Sequence, residues 1–145
     1  NMILFMSDFG IEDYPFSMYD YYVKEDNPRF VSVDGVIFTA DLKSLVAFPI
    51  GRTGHYDIPD GTEIVEYGAF LDTHLESVYV PDSVRLVDDL GLNSLHLKSL
   101  SLPAHAADPS SLFFGYAAIA GLNTGSVPDD LVITYRTAAS ETSLR

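Results

Sequence analysis

The chain has 145 residues, 47% of them hydrophobic and 12% aromatic, which indicates one domain with a buried core rather than a disordered chain. Its 21 acidic and 8 basic residues give a net charge of −13, which disfavours binding to nucleic acid or to anionic lipid. The absence of cysteine excludes disulfides, thiolate metal sites and cysteine nucleophiles. No run reaches the roughly 18 apolar residues of a transmembrane helix, so we expect no membrane insertion.

The N-terminal segment combines a short apolar run with a group of tyrosines. Residues 2–5 are apolar but lack the basic region of a signal peptide, so we expect no signal peptide within this sequence. These residues would lie at an open end of the domain, where they could form a homodimer contact. The tyrosines that follow, for which we predict packing rather than binding roles, are Tyr14, Tyr19, Tyr21 and Tyr22.

Residues 33–49 predict an inserted β-hairpin. Two apolar runs, residues 30–38 and 45–49, flank a polar, turn-like segment at 39–44. Strand-like runs around a polar turn are typical of antiparallel pairing. The segment interrupts the periodicity of the rest of the chain, so we expect it to lie between repeats as an insertion.

A step of 22 residues runs through the middle of the chain. The pairs Ile58-Pro59, Val80-Pro81 and Leu102-Pro103 recur at this spacing. A period of about 20 to 29 residues is typical of leucine-rich repeats, whose apolar side chains are buried only when neighbouring repeats stack. The predicted fold class is therefore a leucine-rich-repeat solenoid, mostly β with short helical or 3-10 turns, wound as a right-handed superhelix.

Each repeat contains a strand that ends at its proline, because proline cannot donate to a β-ladder. Alternation along these strands directs one set of side chains inward: Tyr56, Ile58, Val78, Val80, Leu100 and Leu102. The alternate side chains form an outward row, which is the predicted ligand-binding strand face: His55, Asp57, Ser77, Tyr79, Ser99 and Ser101.

A second element returns the chain to the next strand. Residues 65–70 match residues 87–92 at the same step, and residues 114–119 match them after a step of 27. We predict one helical or 3-10 turn in each, with Phe70 and Leu92 in the core.

The C-terminal part departs from the repeat. A last strand is predicted near residues 131–135, within a modified cap that spans residues 104–137. The domain would then cover residues 1–137, and the small, polar residues 138–145 would form a frayed tail.

Three linked motifs resemble those of the BspA-like leucine-rich-repeat family of bacterial surface proteins. They are the corner Val80-Pro81-Asp82-Ser83-Val84, the return Val65-Glu66-Tyr67-Gly68-Ala69-Phe70 and the strand Leu75-Glu76-Ser77-Val78. The resemblance covers roughly residues 11–103 and weakens from Ala104 onward. It implies a secreted or cell-surface location, a role in adhesion or in recognition of host proteins, and no catalytic residues.

Two groups of polar residues suggest metal binding. His74 and His96 lie one repeat apart and close to Asp72, a set that could bind zinc, but no third ligand repeats in register. Asp60 and Asp82 could bind calcium, although carboxylates at corners more often bond to nearby backbone N–H groups. We therefore predict no metal site and no cofactor.

A third group has the residue types of a nucleophilic triad. His55, Asp57 and Ser77 would face outward on adjacent strands. The sequence carries no glycine-rich elbow that could form an oxyanion hole beside them. We therefore predict that the protein is not an enzyme and has no catalytic residues.

The predicted function is a non-catalytic recognition or adhesion module of a bacterial cell-surface or secreted protein. It would bind a protein or a glycan, which a host could supply, through the strand face with Tyr79 as an anchor. The alternative is a structural spacer that presents neighbouring domains and has no ligand of its own.

Overall fold

The computed structural model describes residues 11–12, 19–92, 94, 96–115, 118–119 and 130–137. These residues form two main β-sheets, a two-stranded ribbon and two short 3-10 helices. The strands are β1 (Ile11–Glu12), β2 (Tyr22–Val23), β3 (Phe30–Val33), β4 (Val36–Thr39), β5 (Ser44–Ala47), β6 (Thr53–Asp57), β7 (Ile64–Val65), β8 (His74–Tyr79), β9 (Leu86–Val87), β10 (Ser99–Leu102) and β11 (Val132–Tyr135). The 3-10 helices η1 (Ala104–Ala107) and η2 (Pro109–Ser111) lie between β10 and β11.

One sheet is entirely parallel, with the strand order β11-β10-β8-β6. Val78 of β8 pairs with Tyr56 of β6 on one side and with Leu100 of β10 on the other. The 22-residue step of the sequence is therefore the register step among β6, β8 and β10, whereas Leu100 pairs with Ile133 of β11 after a longer step. The strand predicted near residues 131–135 is present as β11, which pairs with β10 at the sheet edge.

The other sheet is mixed, with the order β3-β4-β5-β7-β9. The first three strands form an antiparallel meander, whereas β5, β7 and β9 pair in parallel. Val65 pairs with Val87, so the same step of 22 residues sets the register of β7 and β9.

The predicted leucine-rich-repeat solenoid is wrong. The described residues form a mixed β-sheet domain with no α-helix, and the antiparallel meander is continuous with the parallel strands of one sheet. The segments predicted as helical or 3-10 returns, residues 65–70 and 87–92, are instead strand ends followed by turns. The physical reason is that a constant step reports only the chain length between neighbouring parallel strands. It does not specify the connections or the winding of the sheets.

The hairpin predicted at residues 33–49 is present as the antiparallel pair β4 and β5, but it is not an insertion, because β5 also pairs with β7. A second hairpin turn precedes it. Asp34 and Gly35 have positive φ values of 51° and 78°, as a two-residue turn between paired antiparallel strands requires. An Asp-Gly pair between two apolar runs is a strong signal for such a turn.

Side chains from both sheets form the main core. The inward positions that alternation predicted on the parallel strands are buried in it, except that Tyr56 is partly buried. Phe38 and Leu45 of the mixed sheet and Val78 and Leu100 of the parallel sheet are all buried in it. The two return-segment residues predicted in the core, Phe70 and Leu92, are also fully buried. The Leu92 amide donates to the Ala118 carbonyl at 2.8 Å. Ala118, which belongs to the matching segment 27 residues further on, therefore lies beside Leu92.

The tyrosines near the N-terminus have different environments. Tyr21 is buried against the outer side of the mixed sheet, and the Ile50 amide donates to its hydroxyl at 3.2 Å. Burial raises the pKa of Tyr21. Tyr19 and Tyr22 are 58% and 57% exposed, so the predicted packing role is wrong for these two. Tyr14 lies outside the described residues, as do residues 2–5 with their predicted dimer contact and the predicted tail at 138–145.

Asp41 organises the turn between β4 and β5. Its carboxylate accepts hydrogen bonds from the Thr39 hydroxyl at 2.7 Å and the Lys43 amide at 3.0 Å. These bonds favour the ionised form and lower the pKa of Asp41 below its ordinary value. Because the folded pKa is the lower one, the stabilisation is present above the unfolded value of about 3.9 and is lost as the pH falls through the folded value.

We expect Thr39→Val to raise the pKa of Asp41, because the hydroxyl that stabilises the carboxylate is removed. A carboxyl-carbon NMR titration of both proteins measures this directly. Asp108 supplies an internal control, since its pKa is lowered by hydrogen bonds from Ser110 and should not change. An unchanged Asp41 pKa in the variant would contradict this account of the turn.

Candidate functional site

The six residues predicted to bind ligand lie together on the outward face of the parallel sheet. Register pairing places His55 beside Ser77, Asp57 beside Tyr79, Ser77 beside Ser99, and Tyr79 beside Ser101. His55, Asp57 and Ser99 are exposed, and the other three are partly buried. Alternation along the strands was therefore sufficient to identify this face, although the solenoid assigned to it was wrong.

A chain of hydrogen bonds crosses this face from β8 to β6. The His55 ring accepts or donates at both nitrogens, with Nδ1 2.5 Å from Ser77 Oγ and Nε2 2.6 Å from Asp57 Oδ1. Serine, histidine and carboxylate are thus linked in the order of a nucleophilic triad. The His55 and Asp57 side chains are 52% and 72% exposed.

The surroundings of this chain of bonds do not favour catalysis. Strand β8 is internal, with β6 on one side and β10 on the other, so its backbone N–H groups near Ser77 belong to the ladders. An oxyanion hole needs such donors to be free and aimed at the reacting atom. The hydrogen bonds hold the side chains of Ser77, His55 and Asp57 in fixed positions relative to one another.

A cleft opens where β6 and β8 end, and we call it the strand-end cleft. Its volume is about 590 Å³. Its lining residues are Asp57, Ile58, Pro59, Asp60, Tyr79, Pro81 and Asp82. The two prolines end the strands and turn the chain away from the sheet, which leaves the space between the corners. Asp57 and Tyr79 belong to both the strand face and the cleft, so the two features form one continuous surface.

Arg136 is a site residue that the sequence did not indicate. It follows β11, and its guanidinium carbon lies 4.2 Å from the ring centroid of Tyr79. The guanidinium donates to Ser101 Oγ at 2.8 Å, to the Val80 carbonyl at 2.5 Å and to Asp82 Oδ1 at 3.0 Å. No local pattern around Arg136 predicts these contacts, because they depend on the pairing of β11 with β10.

The corner aspartates were predicted to bond to nearby backbone N–H groups, and Asp82 instead bonds to Arg136. Ser83 stabilises the corner backbone. Its hydroxyl accepts from the Gly61 amide at 3.0 Å and donates to the Thr62 carbonyl at 2.7 Å, which links successive corners. Asp60 lies exposed at the cleft, and its carboxylate makes no ion pair within the described part of the chain.

His74 and His96, the two histidines considered as zinc ligands, stack on each other. The ring centroids of His74 and His96 are 4.7 Å apart with an interplanar angle of 20°, and His74 Nδ1 donates to the Ile50 carbonyl at 2.9 Å. Across the described ranges, no group of three or more His, Cys, Asp or Glu side chains is placed to hold a metal ion. Within the same ranges, no helix has the length and apolar character to cross a membrane.

Comparison with solved structures shows a similarity to a bacterial antigen. A scan against protein-family models and a search of curated proteins find no match. The chain is similar to the crystal structure of the pneumococcal vaccine antigen PcpA, with a TM-score of 0.44 and 18% identity. The similarity covers 83% of this chain and 40% of that chain, so the chain spans less than half of its length. At this TM-score it carries no argument about function, and the resemblance to the BspA-like family stays a prediction.

Proposed function

We propose that this chain is a non-catalytic recognition module of a bacterial cell-surface or secreted protein. Its binding site is the strand face together with the strand-end cleft, and its ligand is a protein or a glycan. The main support for this proposal is that the strand face and the cleft form one continuous surface, since Asp57 and Tyr79 belong to both. A row of polar side chains that runs into an open cleft is the kind of surface on which partners dock.

The chemistry of this surface supports binding. Tyr79 presents a rigid aromatic ring, which contributes contact area at a low cost in conformational entropy. The hydroxyls of Ser77 and Ser101 and the carboxylate of Asp57 already have hydrogen-bonded partners that hold them in position. A preorganised surface loses less freedom when a ligand binds, so more of the interaction energy appears as affinity.

The spacer alternative differs in one measurable respect, because a spacer has no saturable ligand. The purified chain should therefore be screened against extracellular-matrix proteins, plasma proteins and a glycan array. We expect at least one saturable ligand. The absence of any ligand in this screen would favour the spacer over the recognition module.

Tyr79→Ala should weaken binding of that ligand by about tenfold or more, since aromatic residues are frequent hot spots. The control is Tyr67→Ala, because Tyr67 is 60% exposed on the turn after β7 and does not line the cleft. Tyr79→Phe keeps the ring and its contact with Arg136, so it separates the role of the hydroxyl from that of the ring. Equal affinities for Tyr79→Ala and Tyr67→Ala, at comparable melting temperatures, would contradict the proposed site.

A further inference from the structure

Two residues that line the strand-end cleft, Tyr79 and Asp82, also hold a guanidinium that belongs to the chain itself. Arg136 lies on the face of Tyr79, bonds to the Asp82 carboxylate and bonds to the Val80 carbonyl. An aromatic face, a carboxylate and a backbone carbonyl are three partners that suit a guanidinium. Tyr79 and Asp82 also line the cleft, so the residues that hold this internal cation are shared with the open space.

The cleft has more negative charge than this one cation balances. Asp57, Asp60 and Asp82 all line it, and only Asp82 bonds to Arg136. Asp57 bonds to His55 at 2.6 Å and remains 72% exposed. Like charges held close together repel one another, and a cation placed among them relieves that repulsion. The net charge of −13 adds a long-range attraction for basic partners.

The remaining lining suits the stem of a long basic side chain. Ile58, Pro59 and Pro81 contribute apolar surface beside the carboxylates. Lysine and arginine pack their methylene stems on apolar surface while their charged ends reach polar partners. A cleft of about 590 Å³ has room for such a side chain and part of the backbone that carries it.

From these observations we infer that the cleft binds a lysine or arginine side chain presented by an extended basic segment of a partner protein. The inference rests on the proposed recognition function and names the ligand class of that same site. Asp57 and Asp60 receive the cationic end, and the segment continues along the strand face over Ser77 and Ser99. An anionic glycan is repelled by the same carboxylates, and a neutral glycan has no positive charge to pair with them.

The test uses fluorescein-labelled hexa-arginine, hexalysine and hexaglutamate peptides and the purified chain, with binding followed by fluorescence anisotropy. We expect saturable binding of at least one of the two basic peptides and none of hexaglutamate. The binding should weaken strongly at about 0.5 M NaCl, where exposed charges are screened over a few ångströms. Failure of both basic peptides to bind at low salt would overturn the inference.

Two double variants with the same change in net charge distinguish binding in the cleft from long-range attraction to the negative charge of the whole protein. Asp57→Asn/Asp60→Asn removes two carboxylates from the cleft and should weaken peptide binding by roughly fivefold to tenfold. Glu25→Gln/Asp26→Asn makes the same change in net charge at an exposed turn outside the cleft, and should stay within about twofold of the parent. Equal losses in the two double variants would overturn the inference, because binding would then reflect total charge alone.

Failure of this inference can be distinguished from failure of the proposed function. If basic peptides do not bind while the broad screen finds a glycan that depends on Tyr79, the recognition function stands and the ligand class is wrong. If neither the peptides nor the broad screen gives a saturable ligand, both the inference and the proposed function fail.

Discussion

Phe70→Ala should lower the free energy of unfolding by about 3–5 kcal/mol, the usual cost of truncating a buried phenylalanine. Phe70 is fully buried, and its ring stacks on Phe48 with centroids 5.1 Å apart and an interplanar angle of 23°. Tyr56 of β6 lies 6.2 Å from the same ring. The truncation therefore leaves a cavity where Tyr56 of β6 meets the two phenylalanines that follow β5 and β7.

The measurement is urea or thermal unfolding of the parent and the variant. For a domain of this size, the predicted loss corresponds to a melting temperature lower by roughly 10–20 °C. Tyr67→Ala is the matched control, because Tyr67 lies three positions earlier on the same turn and is 60% exposed, and its change should stay within about 0.5 kcal/mol.

If Phe70→Ala fails to fold, Phe70→Leu gives a milder test, with an expected loss of about 1–2 kcal/mol. A melting temperature for Phe70→Ala within a degree or two of the parent would contradict the assigned role of this ring. It would mean that the aromatic cluster relaxes around the missing side chain.

The sequence predicted the strands and their two faces better than the way in which they assemble. Alternation with a period of two depends only on side-chain direction, so it placed Val78 and Leu100 inside and Ser77 and Tyr79 outside correctly. The proline corners marked the strand ends for the same local reason, since a proline cannot continue a ladder.

Assembly depends on pairing between distant segments, which no local pattern specifies. Because β5 pairs with β7, the segment predicted to be an insertion is part of the mixed sheet. No local pattern in the sequence predicts this pairing. The strand-end cleft was missed in the same way. Asp60 and Asp82 were paired in the sequence as possible calcium ligands, whereas the cleft that they line together with Asp57 and Tyr79 is a feature of the folded sheet.

Arg136→Ala should lower the free energy of unfolding by about 2–3 kcal/mol, from the loss of a cation–π contact and of charged hydrogen bonds. The Arg136 side chain is only 11% exposed, which makes its contacts with Tyr79 and the Val80 carbonyl stronger than those of a surface arginine. The ion pair with Asp82 contributes less, because the Asp82 side chain is 64% exposed and solvent screens it.

Urea unfolding of two further variants separates the contributions of stacking and of the ion pair to the stability lost in Arg136→Ala. Arg136→Lys keeps the charge but loses the planar group that stacks on Tyr79, so it should recover less than half of the loss. Asp82→Asn removes only the ion pair and should cost well under about 1 kcal/mol. If Arg136→Ala unfolds at the same urea concentration as the parent, Arg136 does not anchor β11 to the parallel sheet. If Arg136→Lys is as stable as the parent, the positive charge rather than stacking on Tyr79 holds the side chain of residue 136 in place. The cleft should then bind lysine and arginine side chains of a partner equally well.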